Sequence, residues 1–372
     1  MSEGTRPGLY VHVPFCKSKC PYCDFYSVTS PSRVSEWLEA LEKEVRIYRE
    51  HFPLFDSLYF GGGTPSLLEP GELKDLLSLL FNNFSFSPDA EFTLEANPDD
   101  VTASKADLFL DLGLNRISLG AQSFIDRELR LLGRRHTASQ TERAVEHLAR
   151  AGFKRIGIDL IYGLPGQGES DWLESLDQAL SLDPDHVSCY QLTLAGGTPF
   201  EALMKRGRIR PPSEAKARRL FLIASDHLEK RGYVHYEVSN YAGNLRSVCR
   251  HNLKYWRRGP YLGLGPSAHS FSGGERWWNH RSLGKYVRDL STGRPPVEGQ
   301  EKLSPEQHRM EALLLGFRTL EGVDLSLVDL SPNAGKIIAE LCRSELIRRD
   351  GGKIVPTRKG FLVADSLPLL FC

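Results

Sequence analysis

Residues Leu9-Tyr10-Val11-His12-Val13-Pro14 run into Phe15-Cys16-Lys17-Ser18-Lys19-Cys20-Pro21-Tyr22-Cys23-Asp24-Phe25. The first six alternate, with Leu9, Val11 and Val13 on one face and Tyr10 and His12 on the other, which predicts a strand. The loop after it places Cys16, Cys20 and Cys23 within eight residues. Thiolates are the usual ligands of iron–sulfur clusters, and three from one short loop cap three corners of a cubane. The fourth iron is then open to chelate the amino and carboxylate groups of a methionine. One electron can then cleave an adenosyl sulfonium bond. Cys16, Cys20 and Cys23 are therefore expected to hold a [4Fe–4S] cluster, and the cluster to hold S-adenosylmethionine. The competing reading is a structural zinc site with His12 or Asp24 as fourth ligand. A zinc ribbon needs a second CxxC pair, which this chain lacks.

Outward from this loop, strand-like runs at 9–14, 57–60, 91–96, 116–121, 155–162 and 186–193 alternate with amphipathic segments at 34–49, 70–82, 104–112, 137–151 and 169–182. Such alternation predicts an α/β fold with a parallel sheet and right-handed crossovers, here a partial (β/α)6 barrel of the TIM type. One face of the strands is aliphatic, as needed beneath helices. The other carries Tyr10, Thr93, Glu95, Ser118, Gly120, Gln122 and Asp159, which predicts an open, polar lumen. Glu95, Gln122 and Asp159 fall near the C-terminal strand ends, where parallel barrels carry their sites. The cysteine loop and the run Gly61–Gly63 would crowd the same mouth.

The whole composition fits this picture. Hydrophobic content is 41% and charged content 25% of 372 residues, and 47 basic residues balance 47 acidic ones. A zero net charge disfavours a nucleic-acid partner. Seven cysteines, an odd number, argue against a disulfide framework. No apolar run approaches the roughly 20 residues that span a bilayer, and the polar start reads as no signal peptide. A cytoplasmic protein is expected.

The organisation expected is a barrel over 1–240, an extension over 241–298 and a small C-terminal domain over 299–372. Residues 214–231 read as a helix and 233–241 as extended. Pro295-Pro296 sits in a polar stretch read as a linker. Helices at 305–320, 326–330 and 334–343, then a hairpin over 346–355, predict a winged-helix-like module. DNA binding is the usual role of such a module. The candidate recognition helix at 334–343 has only Lys336 and Arg343 as basic residues, too few for that role.

The loop CxxxCxxC followed by aromatic residues resembles the radical S-adenosylmethionine superfamily. With FGGGTPS, LEANP, LGAQSF and GIDLIYGLPGQ, the text is similar to oxygen-independent coproporphyrinogen III oxidases and their relatives. The resemblance implies that Tyr10, Gly62, Gly63 and Thr64 contact the methionyl part of the cofactor. It implies that Glu95 takes the ribose hydroxyls, and that Gln122, Arg134 and Asp159 complete the site. The true oxidases carry a further cysteine two positions after the third ligand, where this chain has Phe25, and a longer N-terminal extension covering the substrate. Radical decarboxylation needs a closed, water-excluded site, for which this sequence offers less.

The string Cys249-Arg250-His251-Asn252-Leu253-Lys254-Tyr255-Trp256 resembles the signature of the HemW-type heme chaperones. The resemblance implies His251 as a heme contact, since neutral imidazole ligates heme iron. Tyr255 and Trp256 are open between porphyrin contact and core packing, and Cys249 between ligand and buried thiol. Residues 261–269 are expected to close the far side of the cofactor mouth. His12, His235 and His269 are expected to be satisfied core histidines. The function implied is binding heme and passing it to acceptor apoproteins such as respiratory enzymes, with peripheral contact at the inner face of the membrane. A tetrapyrrole-modifying enzyme of the coproporphyrinogen III oxidase type is the alternative.

Overall fold

The computed structural model describes residues 6–328 and 333–371. Six parallel strands lie side by side in chain order: β1 Gly8–Val13, β2 Phe55–Gly62, β3 Phe86–Ala96, β4 Arg116–Gln122, β5 Ile156–Tyr162 and β6 His186–Gln191. Helices α1 Val34–Tyr48, α2 Pro70–Asn83, α3 Ala103–Asp111, α4 Asp126–Leu131, α5 Ala138–Ala151 and α6 Glu169–Ser181 run between them. This is the partial (β/α)6 barrel that the alternation predicts. Leu9, Val11 and Val13 of β1 are completely buried, as are Trp37, Leu41 and Val45 on α1. Each such side chain stabilises the fold by about 1.5–3 kcal/mol. Local signals set the helix ends. Thr137 and Gln140 form a reciprocal capping box at the start of α5, and Gly152, at φ 110°, terminates it.

The sheet does not stop at six strands. Helices α7 Pro199–Lys205 and α8 Glu214–Lys230 follow β6. Strands β7 Val234–Glu237 and β8 Asn240–Ala242 form a hairpin, and β8 pairs antiparallel with β6. At the opposite edge, after α9 Arg250–Trp256, β9 Tyr261–Leu264 pairs parallel with β1. Antiparallel strands β10 His269–Ser272, β11 Glu275–Asn279 and β12 Val297–Lys302 extend that edge, with α10 Leu283–Ser291 between β11 and β12. The twelve strands run in the order β12-β11-β10-β9-β1-β2-β3-β4-β5-β6-β8-β7. The stretch expected as a linker is thus corrected: the two prolines lead into edge strand β12. Pro296 still contributes its carbonyl, which accepts from the His280 amide at 3.0 Å.

The C-terminal domain has its own core of Leu313, Phe317, Ile338, Leu341, Ile354 and Phe371. Around it lie α11 Pro305–Gly316, β13 Val323–Asp324, α12 Ala334–Arg343 and the hairpin of β14 Ile347–Asp350 with β15 Lys353–Pro356. The hairpin turns at Gly351 and Gly352, both at positive φ. Strand β13 adds to β15, giving the order β13-β15-β14. The helix expected over 326–330 is a single 3-10 turn, Leu325–Leu327, in its described part; residues 329 and 330 lie outside the described residues. A bridge between Glu237 and Thr319 and ion pairs from Arg358 to Asp226 and Glu229 join this domain to the barrel.

Candidate cofactor site in the barrel lumen

The lumen holds a cavity of about 610 Å³. Tyr10, Gly62, Gly63, Thr64, Glu95, Gln122, Arg134, Asp159 and His251 all border it, together with Cys23 of the cysteine loop. Period-2 alternation does this work: residues one apart on a strand face opposite sides, so the polar positions of β1, β3, β4 and β5 converge. Gln122, at the end of β4, adopts φ 69°, next to a register shift against β5. Such an irregularity re-aims a strand-end side chain.

Two glycines set the height of the mouth. A Cβ on Gly63 would lie 2.6 Å from the Phe15 carbonyl oxygen, so only glycine lets the end of β2 pass beneath the cysteine loop. Its amide donates to the Val13 carbonyl at 2.8 Å. Gly133 (φ 66°) lies equally close to the Pro21 ring, where a Cβ would come within 2.7 Å. That approach delivers the next residue, Arg134, to the cysteines. Its Nη1 donates to Cys20 Sγ at 3.8 Å, and its Nη2 donates to Asn97 Oδ1 at 2.5 Å and to the Gly120 carbonyl at 2.7 Å. Thr64 Oγ1 donates to Cys16 Sγ at 3.4 Å.

The cysteine loop carries three unpaired, half-buried thiols. Burial, and then the neighbouring Cys20 and Cys16, push the Cys23 thiol up, while its hydrogen bond from the Phe25 amide opposes this. Among the described residues no three His, Cys, Asp or Glu side chains converge on one point as a single metal ion requires. His12 is also unavailable as a zinc ligand. Its Nδ1 lies 3.1 Å from the Tyr10 hydroxyl and its Nε2 2.8 Å from the Tyr26 carbonyl. Three free thiols with a cationic and a hydroxyl donor beside them suit the corners of a cubane.

Deeper in the lumen, the Tyr59 hydroxyl donates to Glu95 Oε1 at 2.9 Å, and Ser118 Oγ donates to Asp159 Oδ2 at 2.9 Å. Burial pushes the Glu95 carboxyl up to about 7, and the nearby Asp159 adds to this. Asp159 is raised as well, again by burial. These two acceptor-rich groups suit a polyhydroxylated, cationic ligand.

Sequence reasoning missed Asn97 and Tyr59. Asn97 joins Thr64 Oγ1, at 3.4 Å, to Arg134, and Tyr59 anchors Glu95. Asn97 stands inside the quoted LEANP string, so the signal was present without a role.

His251 lies at the base of the lumen, only 1% exposed. Its Nδ1 is 2.9 Å from Ser57 Oγ, its Nε2 2.9 Å from the Tyr255 hydroxyl, and its ring stacks on Tyr59 at 5.1 Å. The expectation of an imidazole free to ligate iron therefore meets a side chain whose two nitrogens are both in use. Cys249 is buried against Glu91, 3.6 Å from Sγ to Oε1, and its burial pushes the thiol far up. Tyr255 packs edge-on against Tyr261 at 4.7 Å, and the Arg318 guanidinium lies 5.7 Å above the Trp256 ring. His12 and His235 are buried as expected. His269 is the exception, exposed and stacked on Trp278.

Comparison with known proteins agrees with this fold. A model of the radical SAM superfamily matches residues 10–179, and a model of the HemN C-terminal domain matches 303–363. The chain is 35% identical to the heme chaperone HemW of Mycobacterium tuberculosis over 97% of this chain and 93% of that protein. The chain belongs to the HemW family. It is 33% identical to HemW of Bacillus subtilis, over 96% of this chain and 97% of that one. The fold matches coproporphyrinogen III oxidase (HemN) from Escherichia coli, described as a radical SAM enzyme, with a TM-score of 0.85 at 24% identity, covering 99% of this chain and 90% of that one. This HemW-family chain thus carries a radical SAM core and a HemN-type C-terminal domain, with residues 180–302 between the two matched stretches. Among its described residues no helix is long and apolar enough to cross a membrane.

Proposed function

We propose that this chain is a heme carrier whose barrel holds a [4Fe–4S] cluster and S-adenosylmethionine. Cys16, Cys20 and Cys23 would hold three irons of the cluster. Tyr10, Gly62, Gly63 and Thr64 would border the methionyl group, Glu95 would accept from the ribose hydroxyls, and Gln122, Arg134 and Asp159 would close the pocket. When bound, the cluster and its cofactor supply one-electron chemistry. The protein's own part is to orient and to neutralise: Arg134 sets a positive charge beside Cys20, and the Glu95 and Asp159 carboxyls, which line the cavity, would face the cationic cofactor. The heme would pass to acceptor apoproteins, with respiratory enzymes at the inner face of the membrane as the expected class.

The observation that carries this reading is Phe25. It is 66% exposed at the rim of the lumen, where an oxidase of the resembled type would place cysteine. A rim with an exposed phenyl ring is poorly suited to the water exclusion that radical decarboxylation needs, and well suited to a flat apolar ligand. The names of the full-length relatives support the same reading. Anaerobic incubation of the reconstituted protein with coproporphyrinogen III, S-adenosylmethionine and a reductant tests it. No protoporphyrinogen should form, and sustained turnover would contradict the carrier reading.

A further inference from the structure

Beside the lumen, on the other side of Asp24 and Phe25, lies a second cavity of about 350 Å³. Phe25, Tyr26, Tyr255 and Tyr261 give it aromatic walls, while His269 and Arg281 give it an imidazole and a guanidinium. Tyr10 and Tyr255 border both cavities. Flat apolar walls with one cation at the edge match a planar macrocycle that bears carboxylates.

Four histidines border the two cavities: His12, His186, His251 and His269. His12 and His251 have both ring nitrogens engaged, as described above. His186 uses Nε2 on the Tyr236 hydroxyl at 2.8 Å, and its Nδ1 is shut in at the buried start of β6. His269 alone among them is exposed, and no hydrogen bond from the described residues occupies either of its nitrogens. Its ring is nonetheless held in place. It heads β10, opposite Trp278 of β11, and stacks on that indole with centroids 6.0 Å apart and planes 24° from parallel. Partial burial, and then Arg276, lower its pKa, which favours the neutral imidazole that can ligate iron. Arg281 donates to the Asp24 carbonyl, which steadies the guanidinium at the rim while leaving further N–H groups of its fork for a carboxylate.

We propose that this second cavity is the heme site, with His269 as the protein ligand to iron and Arg281 pairing with a propionate. The assignment rests on the reading of the chain as a heme carrier, and it moves the iron contact from the buried His251 to the exposed first residue of β10. His251 then acts as a positioning residue, holding Tyr255 in the shared wall.

Heme titration into the full-length protein, followed by Soret position and by affinity, tests the assignment. His269→Ala should lose the imidazole-type Soret position and weaken binding by about tenfold or more. His269→Gly should regain that position when free imidazole is added. His251→Ala should keep the position even where affinity falls, and Arg281→Ala should weaken binding without moving it. Unchanged spectra in His269→Ala would overturn the assignment, and so would a loss in His269→Gly that imidazole does not restore. Either result would leave the carrier reading standing, because the wild type still binds heme. A wild type that leaves the spectrum of free heme unperturbed would remove both.

Discussion

Arg134 donates from Nη1 to the Cys20 sulfur at 3.8 Å while its other nitrogen is tied to Asn97 and Gly120. One cation thus reaches from the end of the fourth strand unit to the cysteine loop, and its charge sits where thiolate charge accumulates on cluster binding. Removing it should leave a cluster that is harder to reduce, because reduction adds negative charge. Arg134→Ala is expected to assemble iron normally but to shift the midpoint potential negative by tens of millivolts in an EPR-monitored redox titration. Arg134→Lys should recover part of the shift. A potential unchanged in Arg134→Ala would mean that the contact has no electrostatic role.

Cys20→Ala removes one of the three proposed cluster ligands and should abolish the brown absorbance, with bound iron falling to background. Heme binding need not follow, because the second cavity lies outside the cysteine triad. Iron analysis and a heme titration on the same preparation check both halves of this expectation.

Affinity for S-adenosylmethionine should rise with pH. The Glu95 carboxyl is held up to about 7 by burial, so below that value it must shed a proton to accept fully from the ribose hydroxyls. Calorimetric affinity is expected to increase by up to about tenfold from pH 6 to pH 8, and to lose that dependence in Glu95→Gln. A wild-type affinity flat across this range would argue against Glu95 as the ribose partner.

Stability carries a separate pH signature at Glu44 on α1. Its carboxyl accepts from the Gly265 amide at 2.8 Å, from the Tyr286 hydroxyl at 2.6 Å and from Asn279 Nδ2 at 2.5 Å. This ties α1 to the strand-end loop after β9. Burial pushes it from 4.5 up to about 7. The folded state therefore holds the proton more tightly, and the associated stability is present below about 4.5 and lost as pH rises through 7. The full loss is about 3 kcal/mol. Glu44→Gln, which mimics the neutral acid, should gain in Tm relative to wild type between pH 5 and pH 8. A difference independent of pH would remove Glu44 as the source.

Gly63→Ala tests how tightly β2 passes under the loop. A Cβ 2.6 Å from a backbone oxygen cannot be relieved by a side-chain rotation, so the substitution should cost roughly 1–3 kcal/mol. Chemical denaturation measures the cost, and iron loading shows whether the loop has moved.

The barrel was legible because its information is local. Alternation in Leu9–Val13 separates an aliphatic face from Tyr10 and His12, and the same pattern in β3, β4 and β5 places Glu95, Gln122 and Asp159 around one lumen. The added edge strands were not legible in this way. The β11 sequence Glu275-Arg276-Trp277-Trp278-Asn279 has no clean alternation, and β12, Val297–Lys302, is largely polar because it is an exposed edge. Their pairing depends on partners distant in the chain. The surroundings of His269 and His251 were not legible for the same reason. Nothing near His269 signals that it is the exposed first residue of an otherwise largely buried strand, and nothing near His251 signals that Ser57, far earlier in the chain, lies beside its ring.

Heme transfer tests the central claim most directly. Heme-loaded, cluster-reconstituted protein is mixed anaerobically with an apo-acceptor, such as a heme-depleted respiratory enzyme, and the two are separated. The carrier reading predicts that the Soret absorbance moves to the acceptor and that acceptor activity appears, with no porphyrinogen product formed. Heme that stays with the donor, together with turnover of coproporphyrinogen III by the same preparation, would contradict it.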